Sequence, residues 1–133
     1  MSGINNFVNF ILDTNVIISY LNGKERVIKQ LLNWKENGVY FLISVITEIE
    51  VLSFPKLMIE EILKIQRFLE EFTIIPLASQ IGKIASEIKR KYNFKLGASV
   101  IIAIAKLTNS NLVTLDKSII NKAQSIIIIK TIA

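Results

Sequence analysis

The chain of 133 residues contains no cysteine and no histidine. The first absence excludes disulfides, thiolate chemistry and cysteine-based zinc sites. The second removes the commonest general base, the serine–histidine triad and imidazole metal ligands. Catalysis, if there is any, must run on carboxylates, hydroxyls, lysine, tyrosine or a metal. Proline (2 residues) and glycine (5) are scarce. No repeat, linker or low-complexity tract divides the sequence, and the length suits one domain spanning 1–133. No apolar run approaches the ~20 residues that a membrane-spanning helix needs. The opening Met1-Ser2-Gly3-Ile4-Asn5-Asn6 lacks a basic segment leading into a long apolar one, so a signal peptide is not expected and the cytoplasm is the expected location.

What the chain does have is apolar mass: 51% of it is hydrophobic, which favours a packed domain over disorder. The net charge of +5 and pI of about 9.5 fit a partner that carries phosphates without demanding one. Short apolar runs alternate with amphipathic segments. Strands are expected over 7–12, 39–44, 73–75, 111–114 and 126–129. Helices are expected over 15–21, 25–37, from Thr47 to the Phe54-Pro55 break, over 56–71, 80–92 and 98–107, with a short helix or turn over 117–123. Asn22-Gly23 and Gly38 terminate the first two helices. Met58, Ile62, Ile65, Leu69 and Phe72 step by four and three along the fourth helix, as a core stripe does. The alternation of strands and helices predicts an α/β fold: a central, mostly parallel sheet of four to five strands flanked by helices on both faces. The strands read as continuous apolar runs, as strands buried on both sides do.

Aspartate is the scarcest charged residue, with two copies, and both follow a strand. Asp13 comes directly after the first strand and Asp116 after the fourth. In open parallel α/β sheets, ligands bind beyond the carboxyl ends of the strands. Glu48 and Glu50 lie in the helix after the second strand. Two positions apart, they point roughly 200° from each other, so one of them can face a common site. Glu50 is the better candidate; Glu48 reads as a solvated residue of the first helical turn, favoured there by the helix dipole. Each acid also has a plainer reading. Asp13 and Asp116 could cap the helices that follow. Glu50 could be the partner of Thr47 in a capping box. Carboxylates converging beyond strand ends would suit a hard divalent cation such as Mg²⁺, which takes oxygen ligands and serves phosphodiester hydrolysis without histidine.

Leu12-Asp13-Thr14-Asn15, the stretch over 43–52, the stretch over 95–105, and Leu112-Val113-Thr114-Leu115-Asp116 together resemble, in order and spacing, a PIN-domain ribonuclease. This is the kind found as the toxin half of bacterial and archaeal VapBC-type toxin–antitoxin pairs. The resemblance covers nearly the whole chain. It implies a three-layer α/β/α domain and a site of about four acids binding Mg²⁺ or Mn²⁺. It also implies hydrolysis of RNA by metal-activated water, a cognate antitoxin protein as partner, and a homodimer. Carried over residue by residue, it makes Asp13, Glu50 and Asp116 the metal-holding and catalytic acids. Asn15 and Thr114 become supporting groups.

One position departs from that pattern. The third acid's place is taken by Ala98, within Leu96-Gly97-Ala98-Ser99. Alanine offers no ligand, and the Ser99 hydroxyl is displaced by about 100° around the helix. Impaired cleavage is therefore expected, and the alternative is a catalytically inactive PIN-like module that binds RNA or a protein. Phosphoryl transfer through an aspartyl nucleophile fits poorly. Asn15 stands where haloacid dehalogenase-like phosphatases need a second aspartate, and no aspartate follows the third strand at Pro76. A basic stretch, Lys89, Arg90, Lys91 and Lys95, is interleaved with Tyr92 and Phe94. It reads either as a phosphate-contacting track with stacking aromatics or as a solvated helix face whose aromatics enter the core. Trp34 reads as core or interface.

Overall fold

The computed structural model describes residues 8–132. The expectations for the first six residues and for Phe7 lie outside this range. The chain runs β1 (Asn9–Leu12), α1 (Thr14–Leu21), α2 (Glu25–Glu36), β2 (Tyr40–Ser44), α3 (Val45–Leu52) and α4 (Ile59–Leu69). It continues through β3 (Thr73–Ile75), α5 (Ser79–Tyr92), α6 (Leu96–Leu107), β4 (Asn111–Val113), α7 (Lys117–Ala123) and β5 (Ile129–Lys130). All four strand pairings are parallel, and the sheet order is β3-β2-β1-β4-β5.

Successive strand residues point to opposite sheet faces, and the two cores divide accordingly. Ile11, Leu42 and Leu112 pack with Ile81, Ile88, Ile102 and Ile104 from α5 and α6. Phe10, Leu12, Ile43 and Val113 pack with Val16, Ile17, Val27, Leu31, Val51 and Leu69 from α1 to α4. The result is the three-layer α/β/α arrangement expected from the alternating pattern. Helix α6 is the most deeply set, with Ile102, Ala103 and Ile104 at 0% exposure, which is why it is apolar nearly all round. Burying each isoleucine contributes roughly 1.5–3 kcal/mol. Trp34 belongs to the second core, packing edge-on against Phe10 at a centroid distance of 4.9 Å.

Several boundaries differ from expectation for local reasons. Helix α3 starts at Val45, not Thr47, because the Ser44 hydroxyl accepts from the Ile46 N–H and caps it. The Thr47–Glu50 capping box is therefore not formed. Helix α4 starts at Ile59, not Lys56. Lys56 takes a left-handed φ of 67°, and Glu61 reaches back to the Met58 N–H at 3.0 Å. Of the expected α4 stripe, Leu69 is buried, Ile62, Ile65 and Phe72 are half-buried, and Met58 is exposed. The last strand is shorter than the 126–129 run. The N–H groups of Ile126 and Ile127 return to the Ala123 carbonyl, leaving Ile129–Lys130 as a two-residue edge strand, and Ile128 is exposed rather than buried. Gly23 and Gly38, at φ of 77° and 83°, end the first two helices as expected. Among the described residues no helix is long and apolar enough to cross a membrane.

Candidate functional site

The order β2-β1-β4 places a topological switch point at the centre of the sheet, where successive connections leave on opposite faces. Asp13 lies at the carboxyl end of β1, its N–H bonded to the Val113 carbonyl of β4 at 2.9 Å. Asp116 follows β4, and Glu50 sits on α3 after β2. All three line one pocket of about 390 Å³, together with Thr14, Asn15, Ser44, Thr47, Lys95 and Ala98. Glu48, which is half-buried rather than solvated, is not part of its lining.

Threonines and an asparagine hold the acids. The Thr114 hydroxyl donates to Asp13 Oδ2 at 2.7 Å and accepts from the Asp116 N–H at 3.0 Å and Asn15 Nδ2 at 3.4 Å. Asn15 Oδ1 accepts from the Leu115 N–H at 3.2 Å. Asn15 thus clamps the β4–α7 turn against the first turn of α1. Asp13 Oδ1 accepts from the Thr14 N–H at 2.8 Å. The Thr14 hydroxyl lies 2.6 Å from Glu50 Oε1 and 2.9 Å from Thr47 Oγ1. Asp116 Oδ1 accepts from the Ser118 and Ile119 N–H groups. The capping reading is therefore realised for Asp13 and Asp116, and it coexists with their place in the pocket. Capping engages one oxygen of Asp116 and leaves the other available.

Electrostatics sets Asp13 apart. Its carboxyl titrates above the usual value of 3.8, first because burial disfavours the charged form and further because Asp116 and Glu50 add negative charge; the bonds from Thr114 and Thr14 oppose the shift. A cation in the pocket would oppose the shift, because a nearby positive charge favours the ionised carboxylate. Among the described residues, no three His, Cys, Asp or Glu side chains stand at ligand spacing around one point. Asp13, Glu50 and Asp116 line a common pocket without closing on a common centre. Mg²⁺ keeps much of its water shell and takes one or two carboxylates. The all-oxygen donor set of this pocket therefore fits a hydrated hard cation and not a tightly caged one.

Ala98, the third residue of α6, is half-buried and faces this pocket. The Ser99 hydroxyl turns away and donates to the Lys95 carbonyl at 2.9 Å. Of the basic stretch, Lys95 lines the pocket, whereas Lys89, Arg90 and Lys91 occupy the last turn of α5 and do not. Phe94 is 4% exposed, which leaves the core reading for its ring, and Tyr92 is half-buried against the same core. The local sequence offered Thr47 only as a helix cap and gave Thr14 and Ser44 no role in the site. A hydroxyl directly after Asp13, and another three positions before Glu50, are the signals that could have found Thr14 and Thr47.

Residues 10–124 match the PIN domain family, and the chain belongs to it. A toxin–antitoxin complex from Klebsiella pneumoniae contains a similar structure (26% identity, TM-score 0.72, covering 80% of this chain and 86% of that one). VapBC2 from Rickettsia felis, solved bound to a DNA fragment from its promoter, shares the fold at 19% identity, with a TM-score of 0.77 and coverage of 93% and 98%. VapBC-1 from nontypeable Haemophilus influenzae does so at 17%, with the same TM-score of 0.77 and the same coverage of 93% and 98%. No curated protein matches the sequence.

Proposed function

We propose that this chain is the toxin of a VapBC-type pair, a metal-dependent endoribonuclease whose pocket beyond β1 and β4 cleaves RNA phosphodiesters. The observation that carries this reading is the grouping of Asp13, Glu50 and Asp116, which lie on three separate elements, around one pocket, in a PIN domain. These three residues would hold Mg²⁺ or Mn²⁺, largely through its water shell. The bound ion would supply an activated water and charge neutralisation at the phosphate. Thr114 holds Asp13 and Asn15 braces the turn that carries Asp116, so two of the acids are pre-oriented without rearrangement. Lys95, on the same pocket wall, would meet a phosphate oxygen of the RNA.

Ala98 weakens this machinery and favours a second reading, a PIN domain that binds RNA or a protein without cleaving. One experiment separates the two. Single-stranded RNA is incubated with the chain and Mn²⁺ or Mg²⁺, with a chelator control and an Asp13→Ala/Asp116→Ala variant. The nuclease reading requires cleavage that the chelator and the double variant both abolish. RNA binding with no such cleavage assigns the chain to the binding class.

The partner we infer is a cognate antitoxin. A groove of about 540 Å³ between α1, the α3–α4 connection and α4, lined by Ile18, Leu21, Val51, Phe54, Leu57 and Ile65 among others, suits an apolar segment of such a protein. A homodimer is inferred through the exposed Ile59 and Leu63 ridge of α4. Leu63→Glu should convert it to a monomer in light scattering, and an unchanged mass rules out that surface.

A further inference from the structure

Thr14 touches two of the three acids at once. Its N–H donates to Asp13 Oδ1 at 2.8 Å, while its hydroxyl lies 2.6 Å from Glu50 Oε1. The same hydroxyl lies 2.9 Å from Thr47 Oγ1. A hydroxyl has one proton to give, and an ionised carboxylate can only accept. Thr14 therefore donates to Glu50, and Thr47 must donate to Thr14. Thr47 is 1% exposed, so without Thr14 its hydroxyl would lose its side-chain partner at a position with little access to water.

We propose that Thr14 and Thr47 are positioning residues, a two-hydroxyl relay that holds the Glu50 carboxylate in the acid-lined pocket at a fixed separation from Asp13. Glu50 needs such a hold. It is exposed, and it has no cation to anchor it: the ion pairs among the described residues are Glu25–Lys29 and Glu71–Lys35. A free glutamate side chain samples many rotamers, and ordering it costs free energy. The relay meets that cost before any ligand arrives. Thr47 and Glu50, three residues apart, share one face of α3, so a single residue at the start of α1 can engage both. Substitution of the third acid by Ala98 raises the weight on this arrangement, since fewer carboxylates remain to define the pocket.

This inference rests on the metal-site reading above for its consequence but not for its geometry, so the test has two arms. In the first, without metal, three-bond couplings of the Glu50 side chain are measured by NMR. A single rotamer is expected in the wild type and in Thr14→Ser, and averaged couplings in Thr14→Val and Thr47→Val. In the second, Mn²⁺ is titrated by calorimetry. Thr14→Val and Thr47→Val should weaken affinity about 3- to 10-fold, consistent with loss of one partly solvated hydrogen bond to a charged group. Thr14→Ser should restore it, and Thr14→Val should add nothing in a Glu50→Ala background. Averaged couplings in the wild type overturn the relay. So does unchanged affinity in Thr14→Val when Glu50→Ala weakens binding. If the wild type binds no Mn²⁺, the metal-site reading falls and the couplings alone decide the relay.

Discussion

Thr114 donates its hydroxyl proton to Asp13 across 101 residues of sequence, at 2.7 Å, and that bond locks the carboxyl end of β1 to the carboxyl end of β4. Thr114 is 1% exposed and also accepts from the Asp116 N–H and Asn15 Nδ2. Thr114→Val, equal in shape, leaves one acceptor and two donors short of a partner. The expected cost is about 2–3 kcal/mol of folding stability, read as a lower urea midpoint at constant slope. A change below about 0.5 kcal/mol would show that the hydroxyl is not the lock.

Asp13 should make the metal-free protein sensitive to pH. Its carboxyl titrates above 3.8 in the folded state, so over that window the native chain binds more protons than the unfolded one. The stabilising contribution of the neutral carboxyl is complete below 3.8 and is lost as pH rises through the folded value. Relative to Asp13→Asn, the wild type should lose stability with rising pH through this range. Mg²⁺ should reverse the loss at neutral pH. Denaturant titrations over a pH series, with and without Mg²⁺, measure both effects, and parallel curves for the two proteins would refute the assignment.

Ala98→Asp should restore a carboxylate to the pocket wall. The position lies in the first turn of α6, where the helix dipole favours a negative charge, so folding should be unharmed. Mn²⁺ affinity should rise at least about tenfold, the scale of one added charge–charge contact at intermediate dielectric, and cleavage of RNA should increase with it. Calorimetry and a gel assay measure the two. Unchanged affinity would mean that residue 98 does not take part in metal binding.

Lys95→Met should weaken RNA binding more than Lys89→Met, Arg90→Met and Lys91→Met combined, because Lys95 shares the pocket with the acids and the others do not. Binding measured over a salt series should lose roughly 0.7 from its log–log slope for the single phosphate contact removed. Equal effects of the two variants would return the α5 residues to the RNA track.

Much of the fold could be read locally. Strand positions followed from apolar runs, helix ends from Gly23 and Gly38, the end of the third strand from Pro76, and the parallel sheet from the alternation of elements. The misplaced boundaries came from contacts that local patterns rank poorly. At α3, Ser44 and Thr47 are both acceptable caps, and the choice fell to Ser44 because the last strand residue also turns into the helix. At the C-terminus the run of isoleucines looked like one strand, but its first half is held by the Ala123 carbonyl at the end of α7. For the site, Asp13 and Asp116 were legible as candidates because each follows a strand, and Glu50 by its phase on the helix after β2, whereas Asn15 and Thr114 came with the family resemblance. The basic stretch was less so: sequence proximity grouped Lys95 with Lys89, Arg90 and Lys91, while the turn at Asn93, in left-handed geometry at φ 59°, separates them.

By itself the sequence determined the layer architecture and the placing of acids just past strands, since both follow from short apolar runs, from 3.6-residue patterning within single segments and from the alternation of the two. It could not determine which hydroxyl would meet which carboxylate. The Thr14–Thr47 and Thr14–Glu50 contacts join residues 33 and 36 apart, and they depend on how α1 and α3 pack at the end of the sheet. That packing is set by the summed burial of the core beneath them, a quantity that no short stretch of the chain contains.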